Sequence, residues 1–308
     1  MNKLLALSIL VMTLVVGALA GWWVQNQRWA EDVRVMRAEN KAYMEAVLAN
    51  SGAGQLGVPT EAQGNLSIFI LAGQSNMSGR GVLPETTVTD PRIFMLGNDG
   101  RWKLASEPVD NPAGQVDMVS YDNNAGVSPG MAFALEILKE SPEMYVGLVP
   151  VAMGATSLHQ WRRVLTDTML YGSLLKRAKA AEAMGRIEGF LWFQGEADAR
   201  RPTDRIRRPL GNRWHEGFEQ LVSGVRKDLD LPNLPVVYAQ IGTHRNPETY
   251  PHWELVKDSQ TKVELPATAM ITTEDLDLMD KVHFTSDAYI EIGRRFAHEY
   301  LTLTTNGK

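Results

Sequence analysis

From Leu66 onward the chain alternates short apolar runs with longer stretches whose apolar residues recur at helical spacing. The runs Leu66–Ala72, Tyr145–Met153, Ile187–Phe193, Pro235–Ile241 and Ala267–Thr272 carry few charges and read as strands buried on both faces. Between them lie Gly130–Glu140, Tyr171–Met184, Arg213–Leu229 and His252–Leu265, which read as helices. Ser286–Leu301 closes the series. There Ser286 suits an N-cap, and Tyr289, Ile292, Phe296 and Tyr300 form one apolar face. Such alternation predicts an α/β protein with a doubly wound parallel sheet. Val82–Ser128 breaks the rhythm: it is rich in Gly, Pro, Asn and Asp and reads as surface loop, with one short strand near Arg92–Leu96.

The first 64 residues have a different pattern. After the basic Met1–Lys3 comes Leu4–Val24, 21 residues without a charge, long enough to span a bilayer. Ala18-Leu19-Ala20 has the small-x-small form of a signal-peptidase site, whereas Trp22 and Trp23 are placed as the interfacial belt of an uncleaved anchor. Either reading exports the main domain. Gln25–Asn50 is charged, free of Gly and Pro, and has Val33, Met36, Tyr43, Val47 and Leu48 at roughly helical spacing, as in a stalk. Ser51–Gly64 is Gly-rich and reads as a linker. The expected organisation is therefore a signal or anchor over 1–24, stalk and linker over 25–64, and the main domain over 65–308.

Composition narrows the field. A chain of 308 residues buries a sizeable core, so one large domain with an appendage is expected. A net charge of -5 without a basic stripe gives no electrostatic footprint for nucleic acid. The absence of cysteine excludes disulfides, thiolate metal sites and a cysteine nucleophile.

Three strand-like runs end in polar punctuation. The first, in LSIFILAGQSNMSGRG, ends at Gly73-Gln74-Ser75-Asn76; the second at Gly154-Ala155-Thr156-Ser157; the third at Gln194-Gly195-Glu196-Ala197-Asp198. In a parallel sheet these ends share the edge where open α/β sheets carry their chemistry. A serine, a glycine amide and a side-chain amide meeting there form the set that acyl transfer needs: a nucleophile and donors for an oxyanion. A lone serine after a strand is more often turn chemistry. What changes the balance is Asp280-Lys281-Val282-His283. Three residues of separation let the carboxylate face the imidazole and fix its tautomer, leaving His283 able to take the Ser75 proton. Asp275 and Asp277 are rivals for the carboxylate. Met77 stands where a G-x-S-x-G nucleophile elbow requires glycine, so the serine turn is of another kind.

The blocks AGQSNMSGRG, PVAMGATSLHQW, WFQGEADA and DKVHF resemble those of the sialate O-acetylesterase-like branch of the SGNH (GDSL-type) hydrolases, over roughly Leu66–Leu301. The first and third blocks are long and specific. The resemblance implies a three-layer α/β/α sandwich with a five-stranded parallel sheet. It implies a serine esterase that acts on O-acetylated carbohydrates, such as acetylated xylan and sialic acid, with no metal and no organic cofactor. It carries the nucleophile to Ser75, the base to His283 and its partner to Asp280. The oxyanion hole falls to the Ser75 amide, Gly154 and Gln194. The wider superfamily commonly has asparagine where this chain has Gln194, as the acetylesterase branch does.

Other residues carry narrower expectations. Gln74, Asn76, Arg80, Glu196 and His159 are expected to support the serine turn or touch substrate. Glu196 and Asp198 order the third loop or meet Arg80, and as a carboxylate pair they also fit glycosidase chemistry as a minor reading. Trp161 lines a sugar pocket or packs. His215, His244, His252 and His298 lack metal-ligand spacing, and Arg200, Arg201, Arg205, Arg207 and Arg208 read as a solvated face. Two further readings share the fold: a non-catalytic exported carbohydrate-binding protein, and a lipase or thioesterase. The sequence leaves the oligomeric state open.

Overall fold

Among the described residues the apolar runs pair into one sheet of seven strands: β1 (Leu66–Gly73), β2 (Ile93–Leu96), β3 (Trp102–Leu104), β4 (Tyr145–Ala152), β5 (Gly185–Phe193), β6 (Val236–Ala239) and β7 (Thr268–Ile271). Their order is β3-β2-β4-β1-β5-β6-β7, and all are parallel except β3, which runs antiparallel to β2. The structure, a computed structural model, describes residues 57–86, 88–202 and 209–305. The signal or anchor run, the stalk, and Arg205, Arg207 and Arg208 lie outside them. Among the described residues no helix is long and apolar enough to cross a membrane.

The expectation of five strands is corrected to seven. Both additions come from the irregular region: β2 is the short strand expected near Arg92–Leu96, and β3 is unexpected. Gly97 N–H donates to Arg101 O at 2.8 Å, and Gly100 takes φ 76°, which folds Trp102 back along β2. A strand of three residues, as β3 is, is too short to show a period of two over a useful window.

Every residue of β1 is buried, and the strand pairs with β4 on one side and β5 on the other. Among the described residues six α-helices flank the sheet: α1 (Ser75–Ser78), α2 (Pro129–Glu140), α3 (Leu170–Ala181), α4 (Trp214–Asp228), α5 (Trp253–Gln260) and α6 (Ser286–Thr305). On one face Phe69 meets Phe133 of α2 and Tyr300 of α6 edge-on, at 4.8 and 5.0 Å. Gly189, paired with Phe69 across the β1–β5 ladder, leaves room for that ring, since a Cβ there would lie 2.7 Å from it. On the other face Trp192 packs against Trp161 and against Phe218 of α4. Ser128 caps α2 by accepting from Gly130 N–H at 3.2 Å, with Pro129 as the first helical residue. α5 ends at Gln260, short of the expected Leu265, with Thr261 as its C-cap donating to Lys257 O at 3.3 Å.

Two stretches read as linker or loop are integrated into the body. Val58 and Ala62 are buried, and Gly57 N–H donates to Trp102 O at 3.3 Å, so the described part of the expected linker packs on the sheet. Within Val82–Ser128, Asn98 is buried and donates to Asp110 at 2.8 Å. Arg177 of α3 reaches the same asparagine and donates to Pro150 O at 3.0 Å. Asn111, Asp117 and Asp122 accept from backbone amides two residues on, closing turns that need no ladder.

Asp198, fully buried, joins the loops at the carboxyl edge of the sheet. Its Oδ2 accepts from Leu158 N–H and Gln194 Nε2, both at 2.7 Å, and its Oδ1 from Leu210 N–H at 2.6 Å. Burial pushes this carboxyl up to about 6, against the pull of those hydrogen bonds.

These contacts set the cost of two substitutions. Gly73 sits at φ 139°, and a Cβ there would lie 2.1 Å from Phe193 O. Gly73→Ala is expected to cost about 3 kcal/mol or more in urea unfolding. Asp198→Asn turns an NH₂ toward N–H donors and is expected to cost about 2 kcal/mol. Because folded Asp198 holds its proton more tightly than the unfolded chain does, wild type gains stability as pH falls through about 6 toward about 4. The variant lacks that gain. The stability gap is therefore expected to be wider at about pH 5 than at about pH 7.

Candidate active site

The register of the central strands sets the site. Gly73 lies level with Ala152 of β4 and Phe193 of β5, so the three polar loops leave the sheet side by side. Gln74 N–H donates to Phe193 O at 2.9 Å, extending the ladder by one residue before the chain turns into α1. Gln74, not Ser75, holds the cap position, and no side chain caps the turn. The Ser75 hydroxyl is thus left for another partner.

That partner is His283, whose Nε2 lies 3.0 Å from Ser75 Oγ. On the far side of the ring, Nδ1 lies 2.6 Å from Asp280 Oδ2. Asp280 Oδ1 accepts from the Val282 and His283 amides, each at 2.8 Å, so its own turn fixes the carboxylate. These partners assign the proton to Nδ1 and leave the Nε2 lone pair toward the serine. Burial would raise the Asp280 carboxyl, but the His283 ring and the two amides outweigh it and hold it below the usual range. It is ionised at neutral pH. The loop itself is closed by Met279 N–H to His283 O at 2.8 Å, and Phe284 packs on Phe193 and Tyr289. The rival Asp275 is committed to Arg295, which draws its carboxyl down to about 2.

Asn76 binds the serine turn to three neighbours. Its Nδ2 donates to Glu196 and to Val282 O, the latter at 3.1 Å, and its Oδ1 accepts from Tyr289 OH at 2.6 Å. Glu196 is buried against it, and that burial raises the carboxyl above its ordinary value, opposed by its own amide and by Asn76. Glu196 and Asp198 therefore face separate partners in the interior, which does not serve the two-carboxylate chemistry of a glycosidase. Gln74 Oε1 accepts from Ala197 N–H at 3.3 Å, tying the first loop to the third.

The expected oxyanion donors fare differently. Gln194 is fully buried; its Nε2 donates to Asp198 at 2.7 Å and to Thr156 O at 3.0 Å, while its Oε1 accepts from Trp214 Nε1 at 2.9 Å. Gly154 N–H donates to Asp122 Oδ2 at 3.0 Å. Both groups have protein acceptors here, because the dry loop edge must satisfy its own polar atoms. The Ser75 N–H opens α1, where no carbonyl of the helix can reach it.

Arg80 was expected near Glu196 or Asp198. It pairs instead with Asp122, at 2.6 and 2.9 Å. Asp122 and Ser78, which donates to it at 2.9 Å, were not singled out in the sequence. Asp122 lies in the irregular region and belongs to no motif. His159 is half-buried on the turn Leu158–Trp161 after the second loop. Trp161 is a packing residue, fully buried, with Nε1 donating to Thr156 Oγ1 at 3.0 Å. Cavities of 1050 and 730 Å³ open along α2 and α6, and none of the site residues lines them. The site opens to solvent on the side of Asp280 and His283.

Residues 65–302 match the family described as carbohydrate esterase, sialic acid-specific acetylesterase. A probable carbohydrate esterase of Arabidopsis thaliana is 31% identical over 256 residues, which cover 76% of this chain and 90% of that protein. The fold is similar to the crystal structure of an Arabidopsis thaliana protein, with TM-score 0.64 and 29% identity over 77% of this chain and 98% of that one. It is similar also to NanS, with TM-score 0.61 and 19% identity over 80% of this chain and 99% of that one. By sequence, then, the chain belongs to the carbohydrate esterase family of sialic acid-specific acetylesterases.

Proposed function

We propose that this protein is an exported serine esterase that hydrolyses O-acetyl esters on carbohydrates. The observation that carries the reading is the contact chain Ser75–His283–Asp280, 3.0 and 2.6 Å, between segments more than two hundred residues apart. In this mechanism Ser75 Oγ attacks the acetyl carbonyl as its proton passes to His283 Nε2. Asp280, ionised, stabilises the imidazolium. The tetrahedral intermediate collapses as His283 returns the proton to the departing sugar hydroxyl, leaving an acetyl group on Ser75. Water, activated by the same imidazole, then releases acetate and restores the serine.

The oxyanion would rest first on the Ser75 N–H. Gly154 would contribute only by sharing its hydrogen with Asp122. Gln194 would act from inside, as the bracket that spaces the second and third loops. The uncharged Leu4–Val24 run supports export, with the segment either cleaved or kept as a membrane anchor.

The test is acetate release from para-nitrophenyl acetate and from acetylated xylan. Ser75→Ala is expected to lower kcat about a thousandfold or more, and Asp280→Asn by roughly a hundred- to ten-thousandfold. A folded wild-type protein that releases no acetate would instead favour a carbohydrate-binding role. Across a series of acyl esters, kcat/KM is expected to be highest for acetyl. Preference for chains of about eight carbons or more would reassign the protein to lipase or thioesterase chemistry.

A further inference from the structure

We infer that Asp122, neutralised by Arg80, is a positioning residue that sets the gap between the Ser75 turn and the second loop. The inference rests on the serine-esterase reading above.

One oxygen joins three segments. Asp122 Oδ2 accepts from Arg80 Nη2 at 2.6 Å, from Ser78 Oγ at 2.9 Å and from Gly154 N–H at 3.0 Å. Its Oδ1 accepts from Arg80 Nη2 at 2.9 Å and from Asn124 N–H at 3.2 Å. Ser78 belongs to the same short helix as Ser75, and Gly79 N–H donates to Ser75 O at 2.9 Å. Arg80 adds bonds to Ser78 Oγ at 2.8 Å and Gly79 O at 2.7 Å. The serine turn and the Gly154 loop are therefore both referred to one carboxylate, whose charge is met by a guanidinium in contact with both of its oxygens.

Two features show how closely the loop is held. A Cβ on Gly154 would lie 2.8 Å from Arg80 Nη2 and 2.9 Å from Asp122 Oδ2, so the pair packs directly on the glycine. The next residue, Ala155, is held at φ 59°, a left-handed conformation that a residue with a Cβ keeps only when its surroundings fix it. Asp122 also decides where the Gly154 hydrogen points. An acyl group seated on Ser75 would meet the 154–157 loop across this gap, and a displacement of about 1 Å in such a site costs roughly a hundredfold in rate.

The decisive variant is Asp122→Asn, which keeps the shape and removes the charge. It is expected to lower kcat about 10- to 100-fold with KM within about twofold, and to speed hydrogen exchange of the Gly154 amide about tenfold or more. Combined with Arg80→Lys, it is expected to fall no more than about threefold further, since the two act as a unit. A folded Asp122→Asn with wild-type kcat and unchanged Gly154 exchange overturns the inference, as does a rise in KM at unchanged kcat. Should Asp122→Asn fail to fold, Ser78→Ala, which removes one arm, decides. It is expected to lower kcat about 3- to 10-fold, and wild-type kcat would contradict the inference. Ser75→Ala measured alongside separates the two claims: retained turnover there removes the esterase reading at Ser75. Turnover lost in Ser75→Ala but intact in Asp122→Asn removes the positioning role alone.

Discussion

The arrangement depends on β1 lying fully buried between two parallel neighbours and ending level with both. Parallel pairing leaves no freedom in where the three carboxyl ends stand, because each residue of Leu66–Gly73 is matched on both sides. Gly73 completes the constraint: its positive φ and its closeness to Phe193 O let the chain turn into α1 one residue later, after Gln74 N–H has made the last ladder bond to Phe193 O. The serine turn, the Gly154 loop and the Gln194 loop are thereby neighbours before any side chain has interacted. The Asp280–His283 turn is then brought to Ser75 by Phe284, which packs on Phe193 at the end of β5.

A dry edge built this way must satisfy its own polar groups, since an unpaired buried donor or acceptor costs about 1–3 kcal/mol. Asn76, Gln194, Asp198 and Asp122 meet that demand, each linking at least two loops. The same pairing also occupies groups expected to serve the oxyanion. Gln194 and the Gly154 amide are the clear cases. The Ser75 N–H, at the opening of α1, lies beyond the reach of any carbonyl of its own helix. Burial raises the carboxyls of Asp198 and Glu196, whereas the half-exposed Asp280, with its His283 and backbone donors, moves the other way. Carboxylates in one site thus divide between frame and chemistry by their surroundings.

Much of this was legible in the sequence because it is local. Five strands announced themselves as apolar runs, and the Asp280–His283 contact spans only three residues. The motif blocks marked the loop ends through the resemblance to a known family. Partner choice was not legible. Arg80 had two acidic candidates, Glu196 and Asp198, and the fold places neither against it but Asp122, a residue in the irregular region that no motif marks. The β2–β3 hairpin was seen only as its first strand, because the three residues of β3 are shorter than any periodic signal. Gly154 and Gln194 could be assigned an orientation only once their tertiary acceptors were in place.

The central claim is that Ser75 carries the acetyl group during turnover. Rapid quenching after mixing with para-nitrophenyl acetate, with mass mapping of the digested protein, tests it directly. The account predicts one added acetyl group on the peptide containing Ser75, formed within the initial burst and absent in Ser75→Ala. An initial burst with the acetyl group on a different residue, or steady turnover in Ser75→Ala, would contradict it.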